Sequence, residues 1–170
     1  MFALALASTL LAAQEQACPV APASPPAELA GWNAAAPLVT ATGADSVEGA
    51  RLPLGRAMDA TLLPAARVTL PVSPARPGGA ASRSGLFALE VERAGRYRVA
   101  LSGPAWIEVV RDGRAVASAG HAHGPACTGV RKMVDFDLAP GLHLAEVAGA
   151  GAPRIRIMAV PLSRSGDTRN

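Results

Sequence analysis

The sequence predicts an all-β domain, a two-sheet antiparallel β-sandwich of jelly-roll-like design with about eight short strands. Three observations carry that expectation. Apolar and polar residues alternate with period two, most clearly from Leu86 to Leu101. The 17 glycines and 15 prolines recur between such runs without a fixed period, which argues for turns and against collagen-like order or a helical bundle. No segment beyond the amino-terminal run has a helical period. Apolar residues make up 50% of the 170, but aromatics are only 4% and about a fifth of the chain is alanine. One domain with a small core is therefore expected.

The run Phe2 to Ala13 is small and apolar and is followed at once by Gln14, Glu15 and Gln16, the pattern of a signal peptide cleaved after Ala13 or Ala17. It is too short to cross a bilayer as a helix, and no other stretch reaches 18 apolar residues, so no membrane span is expected. Glu15, Gln16 and Ala17 lack the aliphatic residue of a lipoprotein cleavage site, which excludes a lipid anchor at Cys18. A periplasmic or secreted location follows. It makes the cysteine pair Cys18 and Cys127 a disulfide by compartment and parity. That bond ties the mature amino terminus to the histidine-bearing loop.

The expected organisation is a signal peptide over 1–17, an extended Pro/Ala-rich lead-in over 18–55, the β-sandwich over 56–162 and a disordered tail over 163–170. Within the lead-in, Trp32 is the one aromatic side chain and is expected to dock onto the domain. Strands are expected at Arg56 to Leu62 and Arg67 to Val72, before a Pro/Gly/Ser loop from Ser73 to Ser84 that is a candidate flexible region. Leu86 to Leu101 reads as a hairpin about Arg93-Ala94-Gly95. Its register pairs Val91 with Tyr97, Leu89 with Val99 and Phe87 with Leu101 inside, and Glu92 with Arg96 and Glu90 with Arg98 outside. A second hairpin from Ile107 to Ser118 turns on Asp112-Gly113, with Val109 facing Val116. Strands at Arg131 to Leu138, Leu142 to Val147 and Arg154 to Val160 complete the set.

Phe87, the run Gly95-Arg96-Tyr97-Arg98-Val99, Ile107 and Val109 ahead of Asp112-Gly113, and Phe136-Asp137-Leu138-Ala139-Pro140-Gly141 carry a resemblance. Between Leu86 and Val160 the chain resembles bacterial pre-peptidase C-terminal domains and related carbohydrate-binding jelly rolls. The resemblance implies a secreted accessory module that binds polysaccharide or protein surfaces. His143 departs from it, since an aromatic more often follows that Pro-Gly turn.

Charge narrows the function classes. The formal net charge is +3, and the basic residues, with Lys132 the single lysine, are interleaved with acids. No phosphate-tracking stripe forms, so nucleic acid is set aside. His121 and His123, one residue apart, project to one side of an extended chain and are candidate ligands of a transition metal (copper, zinc or iron), with His143 or a thiolate completing the shell. A mononuclear iron dioxygenase would add a carboxylate, for which Asp135 and Asp137 stand at i and i+2, a spacing any solvent-facing strand pair also has. Hydrolase signatures are weaker. There is no Gly-x-Ser-x-Gly elbow, and nothing in the spacing of Glu108, Asp135 and Glu146 selects a glycosidase pair. Trp106 precedes the inward Ile107 and should point outward, as a sugar-stacking ring or as a surface covered by the lead-in and Trp32. The leading expectation is an exported, non-catalytic binding or accessory protein for a small-molecule, polysaccharide or protein ligand. Its alternative is a small metalloprotein at His121 and His123; the candidate site is the surface around His121, His123 and Cys127 with Arg131 and Lys132, and the Trp106 face is a separate candidate binding surface.

Overall fold

The computed structural model describes Cys18 and residues 23–163; the expected signal peptide and the expected tail beyond Ser163 lie outside the described residues. Eleven strands among these residues form two packed sheets. The six-stranded sheet has β1 (Ala36–Val39), β2 (Met58–Thr61), β11 (Arg154–Leu162), β5 (Gly95–Leu101), β9 (Lys132–Leu138) and β8 (Ser118–Ala122), in that order. The five-stranded sheet runs β3 (Leu63–Pro64), β4 (Arg83–Val91), β10 (Gly141–Ala150), β6 (Trp106–Arg111), β7 (Arg114–Ala115). The architecture is the expected all-β sandwich. Pairing between these strands is antiparallel except between β1 and β2, which run parallel, and the lead-in adds two isolated parallel bridges, Arg51 with Ala88 and Leu54 with Ala159.

Alternation decides which side chains fill the core. Val99, Leu101, Val134, Phe136 and Ile157 from the six-stranded sheet meet Phe87, Leu89, Val109, Ala145 and Val147 from the other, and all are buried. The hairpin expected from Leu86 to Leu101 does not form. β4 pairs with β10 and β3, β5 pairs with β11 and β9, and Glu92-Arg93-Ala94 is an arch between the sheets. Glu90 stands opposite Leu142 rather than Arg98. The charges meant for Glu90 and Glu92 are taken by β9 instead. Arg98 grips Asp135 bidentately at 2.8 and 2.9 Å, and Arg96 grips Asp137 at 3.0 and 2.9 Å. Inward orientation was correctly indicated by periodicity, whereas strand partners were not, because two acidic strands carry the same i, i+2 spacing.

The Asp112-Gly113 hairpin forms as expected. Both residues take positive φ, 50° and 71°, as a type I′ turn demands, and Val116 N–H donates to the Val109 carbonyl at 2.7 Å. No strand forms over Arg67 to Val72. A 3-10 turn at Ala65–Arg67 redirects the chain, and Pro71 would remove a ladder donor. The segment instead crosses the five-stranded sheet, where Val72 N–H donates to Glu146.

The lead-in is more ordered than its composition implied. It contributes β1 and two 3-10 helices, Ala27–Asn33 and Ala44–Gly49, and Val47, Ala50 and Leu52 enter the main core. Leu29 and Trp32 are buried at 0% and 1% exposure against Ala57, Ala100, Met133 and Met158 on the outer face of the six-stranded sheet. Trp32 therefore docks, as expected, but on the sheet that does not contain Trp106. Arg156 holds it there, donating from Nη1 to the Trp32 carbonyl while its Nε and Nη2 bind Asp59. Cys18 and Cys127 form the disulfide, and Ala23 N–H donates to the Cys127 carbonyl beside it.

Tyr97 closes the arch, its hydroxyl donating to the Arg93 carbonyl at 2.8 Å from a buried ring. Tyr97→Phe is expected to cost about 1 kcal/mol in chemical denaturation and Tyr97→Ala about 3 kcal/mol. Equal costs would show that the ring contributes nothing beyond its hydroxyl. Reducing the disulfide, which spans 109 residues, should lower stability by roughly 4 kcal/mol in the same assay.

Candidate functional site

A register shift places the first histidine. In β8, Ser118 pairs with Phe136 but Gly120 pairs with Asp135, so Ala119 is an extra residue and forms a bulge. Past the bulge His121 pairs with Val134, a core residue of β9. Without the bulge His121 would align with Met133, on the outer face under Trp32. With it, His121 turns to the side that faces the other sheet. His123, two residues on, lines the same groove, with Nδ1 3.3 Å from the Arg131 carbonyl.

Lys132 begins β9 and pairs with the inward Leu101. Its side chain spans the gap between the sheets, and Nζ donates to the Ala105 carbonyl at 2.8 Å. The same ammonium lies 4.9 Å from the centroid of the Trp106 ring at the start of β6, and the Arg76 guanidinium lies 5.5 Å from that centroid. Both distances fall within cation–π range. The indole Nε1–H donates to Glu108 Oε1 at 3.0 Å, fixing the ring from its other edge. Burial, and secondarily the charge of Arg76, push the Lys132 ammonium below its ordinary pKa.

Arg76 comes from the segment that covers the five-stranded sheet. Gly78 holds that segment down, since a Cβ there would meet the Cα of Gly149 in β10 at 2.7 Å. The result is a half-open groove of about 600 Å³ lined by Arg76, Trp106, His121, His123, Arg131 and Lys132, a size usual for ligand sites. The two surfaces that the sequence marked separately, the histidine loop and the outward Trp106, are one groove. Trp106 points outward as expected, but Arg76 and Lys132 cover it, not the lead-in. A groove of about 700 Å³ past Arg96, Asp135 and Asp137 is the larger one, yet its charges already neutralise each other.

His143 is elsewhere. It lies in β10 opposite Leu89, 1% exposed, with Nδ1 3.0 Å from the Gly141 carbonyl. Among the described residues no three His, Cys, Asp or Glu side chains gather as a metal shell. Cys127 is bonded to Cys18 and supplies no thiolate, and Asp135 and Asp137 are held by arginines. The set His121, His123 and His143 therefore does not converge.

Sequence reasoning found no signal that singled out Glu108 and Glu146. They stand directly opposite each other on β6 and β10, where like charges destabilise a pair. Glu146 is 1% exposed, and the Oε2 of each carboxyl is buried without a hydrogen-bond partner. Burial, opposed by the Val72 N–H and reinforced by Glu108, pushes the Glu146 carboxyl up to about 7. Covering this pair is what the 71–78 segment does. Only the cross-strand register, which the sequence does not display, brings the two together.

The folded chain keeps the Glu146 proton up to about pH 7, whereas the unfolded chain releases it near 4.5. Folded protein thus binds more protons across that window, and this group's contribution is full below it and lost as pH rises through it. Relative to Glu146→Gln, the native chain should lose on the order of 3 kcal/mol of unfolding free energy between about pH 4 and about pH 8. The histidine in β10, pushed below its ordinary pKa first by burial, acts in the opposite sense but equally in both proteins, so the difference isolates Glu146. A difference that does not change with pH would contradict the burial of this carboxyl. No protein-family model and no curated protein matches the chain, so its functional assignment rests on the geometry of this groove.

Proposed function

We propose that this chain is an exported, non-catalytic binding module that holds its ligand in the groove formed by Trp106, His121, His123, Arg131 and Lys132. The observation that carries the reading is convergence: four separate segments deliver a tryptophan, two histidines and three cations to one concave surface. Recognition is preferred to catalysis for chemical reasons. The one reactive thiol position is consumed in the disulfide, and the carboxylates Asp135 and Asp137 serve as arginine partners. The resemblance to pre-peptidase C-terminal domains belongs to this proposal and favours a polysaccharide or protein surface as the target. A periplasmic or secreted location belongs to it too, and the disulfide is compatible with that location. No described helix is long and apolar enough to cross a membrane.

Affinity electrophoresis through gels containing neutral polysaccharides (xylan, β-glucan) or acidic ones (polygalacturonate, alginate) tests the reading. At least one gel should retard the native protein. Trp106→Ala and the double variant His121→Ala/His123→Ala should weaken that retardation by about tenfold while unfolding at an unchanged temperature. Retardation undiminished in both variants would move the site elsewhere on the molecule. Stoichiometric copper, zinc or iron in untagged protein, lost from the double variant, would replace this reading with the metalloprotein one.

A further inference from the structure

The charges of the groove are one-sided. Arg76, Arg131 and Lys132 have no carboxylate partner among the described residues, and unlike the other unpaired arginines, Arg56, Arg67, Arg83, Arg93, Arg114 and Arg154, they line one groove together; Arg51, Arg96, Arg98, Arg111 and Arg156 are all paired with carboxylates. No acidic side chain lines the groove. Like charges gathered in a partly desolvated cleft repel, and the Lys132 ammonium is pushed below its ordinary pKa first by burial and then by the Arg76 charge. The arrangement is nevertheless held in place. The Trp106 ring carries two of the cations at 4.9 and 5.5 Å, and the ring is itself pinned through Nε1 to Glu108. Lys132 spends one N–H on the Ala105 carbonyl, which leaves two donors for a ligand.

We infer that the groove is an oxyanion site, in which Arg76, Arg131 and Lys132 receive a carboxylate, sulfate or phosphate group of the ligand and Trp106 acts as the platform that positions two of those cations. This rests on the proposed binding role of the groove and specifies what is bound. It reverses the usual part of an outward tryptophan in a sandwich sheet: the indole face is occupied by cations rather than kept free for a sugar ring. An anion entering between the cations relieves their mutual repulsion and accepts charge-assisted hydrogen bonds. The oxyanion can be free or carried on a saccharide, and the probes below separate those sources.

Calorimetric titration of the full exported protein with inorganic phosphate, sulfate, trigalacturonate and methyl-esterified trigalacturonate tests the inference. The free acid should bind and its neutral ester should not. Binding of phosphate or sulfate as well would mark a free-anion site, and binding of trigalacturonate alone would mark a saccharide-borne one; both support the inference. Affinity should fall with added salt, and Arg76→Gln, on a surface segment that leaves the core untouched, should cost about tenfold. Lys132→Met should cost at least as much, with folding checked by thermal unfolding. Equal binding of acid and ester would overturn the oxyanion inference while leaving the groove as a binding site. Failure of every anionic probe would overturn it too, and the neutral gels of the preceding section then decide whether the binding role survives.

Discussion

Glu92, Arg93 and Ala94 carry the chain from one sheet to the other, and the placement of every later strand follows from that change of sheet. Had β4 and β5 formed a hairpin, Arg96 and Arg98 would have met Glu92 and Glu90, and β9 would have had no acidic role. The arch, closed by the Tyr97 hydroxyl on the Arg93 carbonyl, instead sets β5 between β11 and β9. Asp135 and Asp137 then bind β5, and Arg98 reaches past Asp135 to Glu28, so the lead-in is fastened to the same spot. With β9 fixed beside β5, Lys132 at its start faces Ala105 and Trp106 at the start of β6. The groove is thus a consequence of how the two sheets are connected.

A sandwich poor in aromatics leaves much apolar and polar surface on its outer faces, and this chain covers both with irregular segments. Leu29 and Trp32 close the six-stranded sheet. Residues 71–78 close the five-stranded one over Glu108 and Glu146, with Val72 donating to Glu146 and Gly78 packed on Gly149. These covers differ in kind. The first buries carbon on carbon and is favourable by the hydrophobic effect alone. The second buries two carboxyls with an unpaired oxygen each, an arrangement that costs least while Glu146 keeps its proton. The segment that accepts this cost also delivers Arg76 to the groove, which gives its position a use beyond coverage.

The fold class, the inward faces and the disulfide were legible in the sequence because each depends on local pattern, turn chemistry or parity. Asp112-Gly113 fixed its own hairpin, and Phe87, Leu89, Tyr97 and Val99 declared their side by alternation. Partners were not legible. Arg96 and Arg98 fit either of two acidic strands, and only the long-range pairing chooses between them. The site was legible by composition and not by geometry: Trp106, His121, His123, Arg131 and Lys132 were marked, but their convergence depends on the Ala119 bulge and on a lysine crossing between sheets. Arg76 was missed because it lies in a Pro/Gly/Ser loop that carries no periodic signal, and His143 was grouped with the other histidines because residue type carries no distance.

The central claim is that anions bind where Arg76 and Lys132 sit on the Trp106 ring. The two tryptophans allow a direct measurement with an internal control, since Trp32 is sealed on the opposite sheet. In a nitrogen–proton correlation spectrum of the protein titrated with trigalacturonate, the Trp106 indole N–H resonance should move in a saturable way while that of Trp32 stays fixed. A titration in which neither indole moves, or in which both move alike, would contradict the account.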